Sequence, residues 1–175
     1  MEKNNSGALK GPRVAVVMGS DSDFEVLRDC IETLKRFGIE VSVSVCSAHR
    51  TPDRAADFAK NARNDGVDVI IAAAGKAAHL PGVLAAYTTL PVIGVPIKSS
   101  TLDGLDALLS IVQMPSGIPV ATMAINGAHN AALLAVQILS VGYTGLVKEM
   151  EKYRSELAEN VQQKDMVIQE KVRSI

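Results

Sequence analysis

Short apolar runs and amphipathic stretches alternate along this chain. Arg13 to Met18, Val41 to Cys46, Val67 to Ala73, Pro91 to Val95 and Pro119 to Ala124 are dense in Val, Ile and Ala and have the length of strands. Between them the apolar positions fall into a helical period. Five such repeats predict a parallel sheet. A run such as Val69-Ile70-Ile71-Ala72-Ala73 has no polar alternation, which is what a strand covered on both faces requires. After Ala131 to Leu139, an Ala- and Leu-rich helix, the chain passes Gly142 and Gly145 and enters a long polar helical segment from about Leu146 to Val172. Its thin apolar stripe predicts a helix lying across the surface or against another subunit, with a frayed end.

This pattern predicts a three-layer α/β/α domain of flavodoxin-like type with strand order 2-1-3-4-5. The expected division is a flexible N-terminal tail over 1–12, the sheet domain over 13–142 and a C-terminal helical extension over 143–175. In such a sheet the ligand crevice lies at the carboxyl ends of the strands, where the order reverses. The loops after strands 1, 2 and 3 are then neighbours: Gly19 to Asp23, Ser47 to Pro52 and Ala74 to Gly82. Pro96-Ile97-Lys98-Ser99-Ser100 and Gln113-Met114-Pro115-Ser116-Gly117 are polar enough to edge a site or to serve a subunit contact.

Composition narrows the classes. With 175 residues, 47% of them hydrophobic, the chain suits one domain with an ample core. Lys and Arg number 18 against 19 Asp and Glu, so the net field favours neither nucleic acid nor an anionic membrane. Met1 to Lys10 is polar rather than signal-like and no apolar run reaches about 18 residues; a cytoplasmic protein is expected. Cys30 and Cys46 stand in a predicted helix and strand with no CxxC spacing, and read as small buried hydrophobes.

The chemistry concentrates in the three loops. Gly19-Ser20-Asp21-Ser22-Asp23 joins a strand to a helix, where free backbone N–H groups attract an anion. Ser22 and Glu25 also have the spacing of a capping box, which would commit Ser22 to the helix and leave Ser20 free. Asp23 repels a phosphate and is better suited to accept hydrogen bonds from ribose hydroxyls. In the second loop, Thr51 and Pro52 read as N-cap and first helical residue. His49 carries the one side chain of these loops, besides His79, that exchanges a proton near neutrality, and Arg50 beside it suits a bidentate anion clamp. A surface or capping role is the ordinary alternative for such a histidine. In the third loop, small residues around Gly75 let backbone amides approach a flat ligand, and His79 either orients that ligand or bonds the backbone at the helix entry. His129 opens the last core helix and reads as structural. The chain contains no GxGxxG, GxxxxGK[ST] or HExxH motif, which disfavours nucleotide hydrolysis and metal catalysis.

Taken together, Gly19-Ser20-x-Ser22-Asp23, Ser47-Ala48-His49-Arg50-Thr51-Pro52 and Gly75-x-Ala77-Ala78-His79-Leu80-Pro81-Gly82 resemble one family closely. It is the class I mutases of purine biosynthesis, which convert N5-carboxyaminoimidazole ribonucleotide into 4-carboxy-5-aminoimidazole ribonucleotide. The resemblance continues through Pro91 to Pro96 and Ser110 to Pro115 and covers about Arg13 to Leu139. It implies an octamer, a phosphorylated ribonucleotide substrate and no metal or organic cofactor. It makes His49 the proton-transfer residue and places phosphate and ribose contacts at Ser20, Asp23 and Arg50. Further contacts are implied at Ser22, Ser47, Ala48, Gly75, Ala77, Ala78, His79 and Leu80. Two residues depart from the pattern. Val83 replaces the usual Met, and Lys76 stands where a second Gly is usual. If that position needs a positive φ, Lys76 carries strain; its ammonium is expected to point to solvent rather than to a substrate carboxylate.

Three other readings compete. A class II carboxylase, joining CO2 directly to aminoimidazole ribonucleotide, typically has Lys after the His and a different third loop, so Arg50 and His79-Leu80-Pro81 argue against it. A carboxylating enzyme on another nucleotide remains open. A non-catalytic nucleotide-binding domain is disfavoured by His49.

Overall fold

The computed structural model describes residues 11–175, so most of the expected 1–12 tail lies outside the described residues. Five parallel strands form one sheet in the order β2-β1-β3-β4-β5, as expected of the flavodoxin-like type. They are β1 (Arg13–Met18), β2 (Glu40–Val45), β3 (Val69–Gly75), β4 (Val92–Ile97) and β5 (Ala121–Thr122). The connecting helices are α1 (Phe24–Arg36), α2 (Pro52–Asn61), α3 (Leu80–Tyr87), α4 (Leu105–Val112) and α5 (Ala128–Ser140), and α6 (Gly145–Arg173) follows.

The sheet is covered on both faces, and this is why its central strands need no polar alternation. Ala15 and Val17 of β1 join Ile70, Ala72 and Ala74 of β3 in one core cluster with Ala55 and Ala59 of α2, Leu84 of α3 and Ile111 of α4. The alternate residues Val14, Val16 and Met18 are just as deeply buried. α1 turns Leu27, Cys30, Ile31 and Leu34 inward at helical spacing. On the α1 side, His129 Nδ1 lies 3.1 Å from both Asp29 Oδ2 and Thr33 Oγ1, tying α5 to α1. His129 is thus structural, as expected. Both cysteines are free and buried, and burial, with Asp29 adding to it, pushes the Cys30 thiol up to about 12.

One compact unit ends at Ala135 and a second runs from Val136 to Ile175. In the second, α6 buries Leu146 and Met150, while Leu157, Val161, Ile168 and Val172 stay exposed. Among the described residues no helix is long and apolar enough to cross a membrane.

Candidate active site

The site is built where the ladder ends. Beyond the strands, Cys46 N–H donates to Met18 O at 2.8 Å and Gly19 N–H donates to Ala73 O at 3.0 Å, so the first residues of the loops are still fixed by the sheet. On the other side of β3, Gly75 pairs with Ile97 of β4. Four loops therefore rise side by side and enclose a cleft of about 620 Å3.

After β1 the chain makes a single 3-10 turn, Asp21–Asp23, capped by Ser20, whose Oγ accepts from Ser22 N–H at 3.3 Å. The Ser22 hydroxyl is 2.9 Å from Ser20 Oγ and 3.3 Å from Asp23 Oδ1. The expected capping box is not formed. The extra turn moves the start of α1 to Phe24, and Glu25 instead pairs with Arg28 at 2.7 Å; Ser20, not Ser22, is the capping residue. Asp23 is 7% exposed at the N-cap of α1. Burial pushes its carboxyl above the ordinary value of 3.8, the Asp21 charge adds to this, and bonds from Ser22 and Ser20 oppose it.

After β2, Thr51 precedes Pro52 at the start of α2 as expected, but makes no side-chain cap bond. Its hydroxyl donates to Ser47 O at 2.9 Å and accepts from Ser47 N–H at 3.1 Å, which closes the loop on itself. Arg50 is held from several directions. Its N–H and Nε–H donate to Ser47 Oγ at 3.2 and 3.4 Å, and Nη2 donates to Gly19 O at 3.4 Å. That last bond joins the β2 loop to the β1 loop. His49 reaches one loop further, to that after β3: its Nε2 lies 2.7 Å from Nδ1 of His79, with the rings at 83°. His79 stands at the N-cap of α3 without a cap bond, so its ring serves His49 rather than the helix. A single hydrogen lies between two such nitrogens, so each ring's tautomer is set by the other.

In the β3 loop, Lys76 has φ 56°, the left-handed conformation that costs a non-glycine residue roughly 1 kcal/mol. The strain foreseen for this position is present. Val83, the other departure, is half-buried and packs on the core.

Eleven of the twelve residues singled out from the sequence line this one cleft; the exception is Ala78, which is fully buried in the core beneath it. Ile97, Lys98, Ser99 and Ser100, expected either to edge the site or to serve a subunit contact, line the cleft and form its wall on the β4 side. That wall follows from the strand order itself, since β4 must stand beside β3. Asn126 Oδ1 accepts from Lys98 N–H at 2.9 Å and Ser99 Oγ lies 3.2 Å from Asp106 Oδ2, which hold this wall in place.

The AIR carboxylase family model matches residues 13–160. The chain belongs to the AIR carboxylase family. Among curated members, the chain is 54% identical over 153 residues to the N5-carboxyaminoimidazole ribonucleotide mutase of Thermotoga maritima, covering 87% of this chain and 90% of that one. It is also 51% identical over 164 residues to the phosphoribosylaminoimidazole carboxylase of Candida glabrata, covering 94% of this chain but 29% of that longer protein. Among solved members of the family, PurE from Treponema denticola superposes with a TM-score of 0.79 at 30% identity, over 88% of this chain and 96% of that one.

Proposed function

We propose that this AIR carboxylase family member converts N5-carboxyaminoimidazole ribonucleotide into 4-carboxy-5-aminoimidazole ribonucleotide in purine biosynthesis, as an octamer in the cytoplasm. The observation that carries the reading is the cleft itself, whose lining brings Arg50, suited to clamp an anion, together with the hydrogen-bonded pair His49 and His79 and a set of small residues. Curated relatives above 50% identity are named for this mutase. Ser20, Ser22 and Arg50 take the phosphate, and Asp23 accepts from the ribose hydroxyls. Ser47, Ala48, Gly75, Ala77, His79 and Leu80 wall in the base.

The carboxyl group migrates by release and recapture. The N–C bond to the carboxylate breaks, giving CO2 and an amine nitrogen that takes up a proton. The nucleophilic ring carbon attacks the trapped CO2, and His49 removes the proton that carbon bore. The proton gained by nitrogen and the one lost by carbon balance, so one group able to give and take a proton suffices. Holding CO2 beside the carbon replaces an encounter in solution with a positioned one.

The test supplies the substrate labelled in its carboxylate, without ATP, against unlabelled bicarbonate. Label retained on the ring carbon is the expected outcome, together with a loss of about 100-fold or more in turnover for His49→Asn. Unlabelled product, its carboxylate drawn only from the bicarbonate pool, would transfer the protein to direct carboxylation, the activity for which the Candida glabrata relative is named.

A further inference from the structure

Lys76 is strained where glycine would not be, at φ 56°, and it lines the cleft beside Gly75 and Ala77. Strain kept in the wall of a site calls for a function of the side chain that incurs it. The cleft has two other cations, Arg50 and Lys98. Lys98 Nζ already lies 3.2 Å from Asp103 Oδ1, and Arg50 is bound to Ser47 and Gly19 at the β1–β2 side. Lys76 has no ion-pair partner among the described residues. The one carboxylate in the wall, Asp23, belongs to the β1 loop, whereas the wall next to Lys76 is Ala74, Gly75, Ala77 and Leu80. The β3 side of the cleft thus presents a positive charge with no internal counter-ion.

The sequence favoured a solvent-directed ammonium for Lys76, and the residue is exposed, but it lines the cleft; we propose that it binds the migrating carboxylate of the ligand. The assignment rests on the mutase reading. Substrate and product each carry two anionic groups, a phosphate and a carboxylate; Arg50 takes the first and leaves the second to Lys76. A lysine fits the task better than a fixed fork, because the carboxylate sits on nitrogen in the substrate and on carbon in the product. A point charge on a four-carbon stem follows that shift. The CO2 formed in between is uncharged, so the ammonium grips both carboxylated forms and loosens on the intermediate.

Two ligands that differ only in the carboxylate isolate this contact: 4-carboxy-5-aminoimidazole ribonucleotide and aminoimidazole ribonucleotide, each titrated calorimetrically into the purified protein. Lys76→Gln should weaken binding of the carboxylated nucleotide by about fivefold or more and that of the uncarboxylated one by less than twofold, with the kinetic loss falling on KM more than on kcat. Lys76→Arg should recover most of the difference. Lys76→Gly relieves the backbone, so it should melt no lower than the parent and yet show the same selective loss, which separates charge from folding. Equal loss for both ligands, or no loss for either, overturns the assignment. Failure of the unsubstituted protein to bind either nucleotide would overturn the mutase reading, and this assignment with it.

Discussion

Asp23 shows what the site costs at the scale of one residue. Its carboxyl is buried at the start of α1, and burial raises its pKa above 3.8. The folded protein therefore holds this proton more tightly than the unfolded chain does. Between pH 3.8 and the raised value, the unfolded state releases the proton first, so stability falls as pH rises through that window. Asp23→Asn removes the penalty. Thermal denaturation should show the variant melting above the parent at pH 7, with the gap closing toward pH 4; a parent that is the more stable at pH 7 would show that the charge is held favourably. Residue chemistry was also where the sequence misled most. The spacing of Ser22 and Glu25 is that of a capping box, and only the inserted 3-10 turn, which no spacing rule announces, transfers the cap to Ser20. By contrast, the convergence of the loops that carry His49 and His79 was legible from the expected strand order, but their direct contact at 2.7 Å was not, since His79 was expected to serve the ligand or the helix entry.

At the scale of elements, the strands were legible because a doubly covered parallel sheet writes itself as uninterrupted apolar runs. Boundaries shifted where polar groups intervene. β3 begins at Val69 rather than Val67, since Asp68 exchanges bonds with Arg13, its carboxylate accepting from Arg13 N–H at 2.9 Å. β5 shrank to Ala121–Thr122, with Met123 N–H and Asn126 N–H reaching Gly94 O and Pro96 O individually beyond the regular ladder. The seam between β4 and α4 sets a sharper condition. A Cβ on Gly94 would stand 2.5 Å from Ile111 Cγ2 and 3.0 Å from Val120 Cγ1, so Gly94→Ala should destabilise by about 1–3 kcal/mol through overpacking. A urea midpoint unchanged by the substitution would mean that α4 can shift freely, and with it the β4 wall of the cleft.

For the whole molecule, the one-dimensional pattern carried the fold class; the strand order, which the structure bears out, came with the flavodoxin-like type rather than from the pattern, and the assembly came only with the family resemblance. α6 keeps Leu157, Val161, Ile168 and Val172 exposed along one stripe in the single chain, although apolar side chains at that spacing are the kind a helix normally buries. Light scattering on the purified protein should give eight times the 18.5 kDa chain mass; a monomer at micromolar concentration would remove the octamer from the reading.

The sheet order also acts as a ruler. β2, β1, β3 and β4 stand in sequence, and strands repeat about every 4.8 Å, so their four loop tips mark out roughly 14 Å in a row. The rungs of that ruler are backbone bonds, and no side-chain substitution can stretch it. Arg50 and Lys76 stand on the β2 and β3 loops, two of those spacings or roughly 10 Å apart; on the proposed assignment the cleft selects a length between charges before it selects a base.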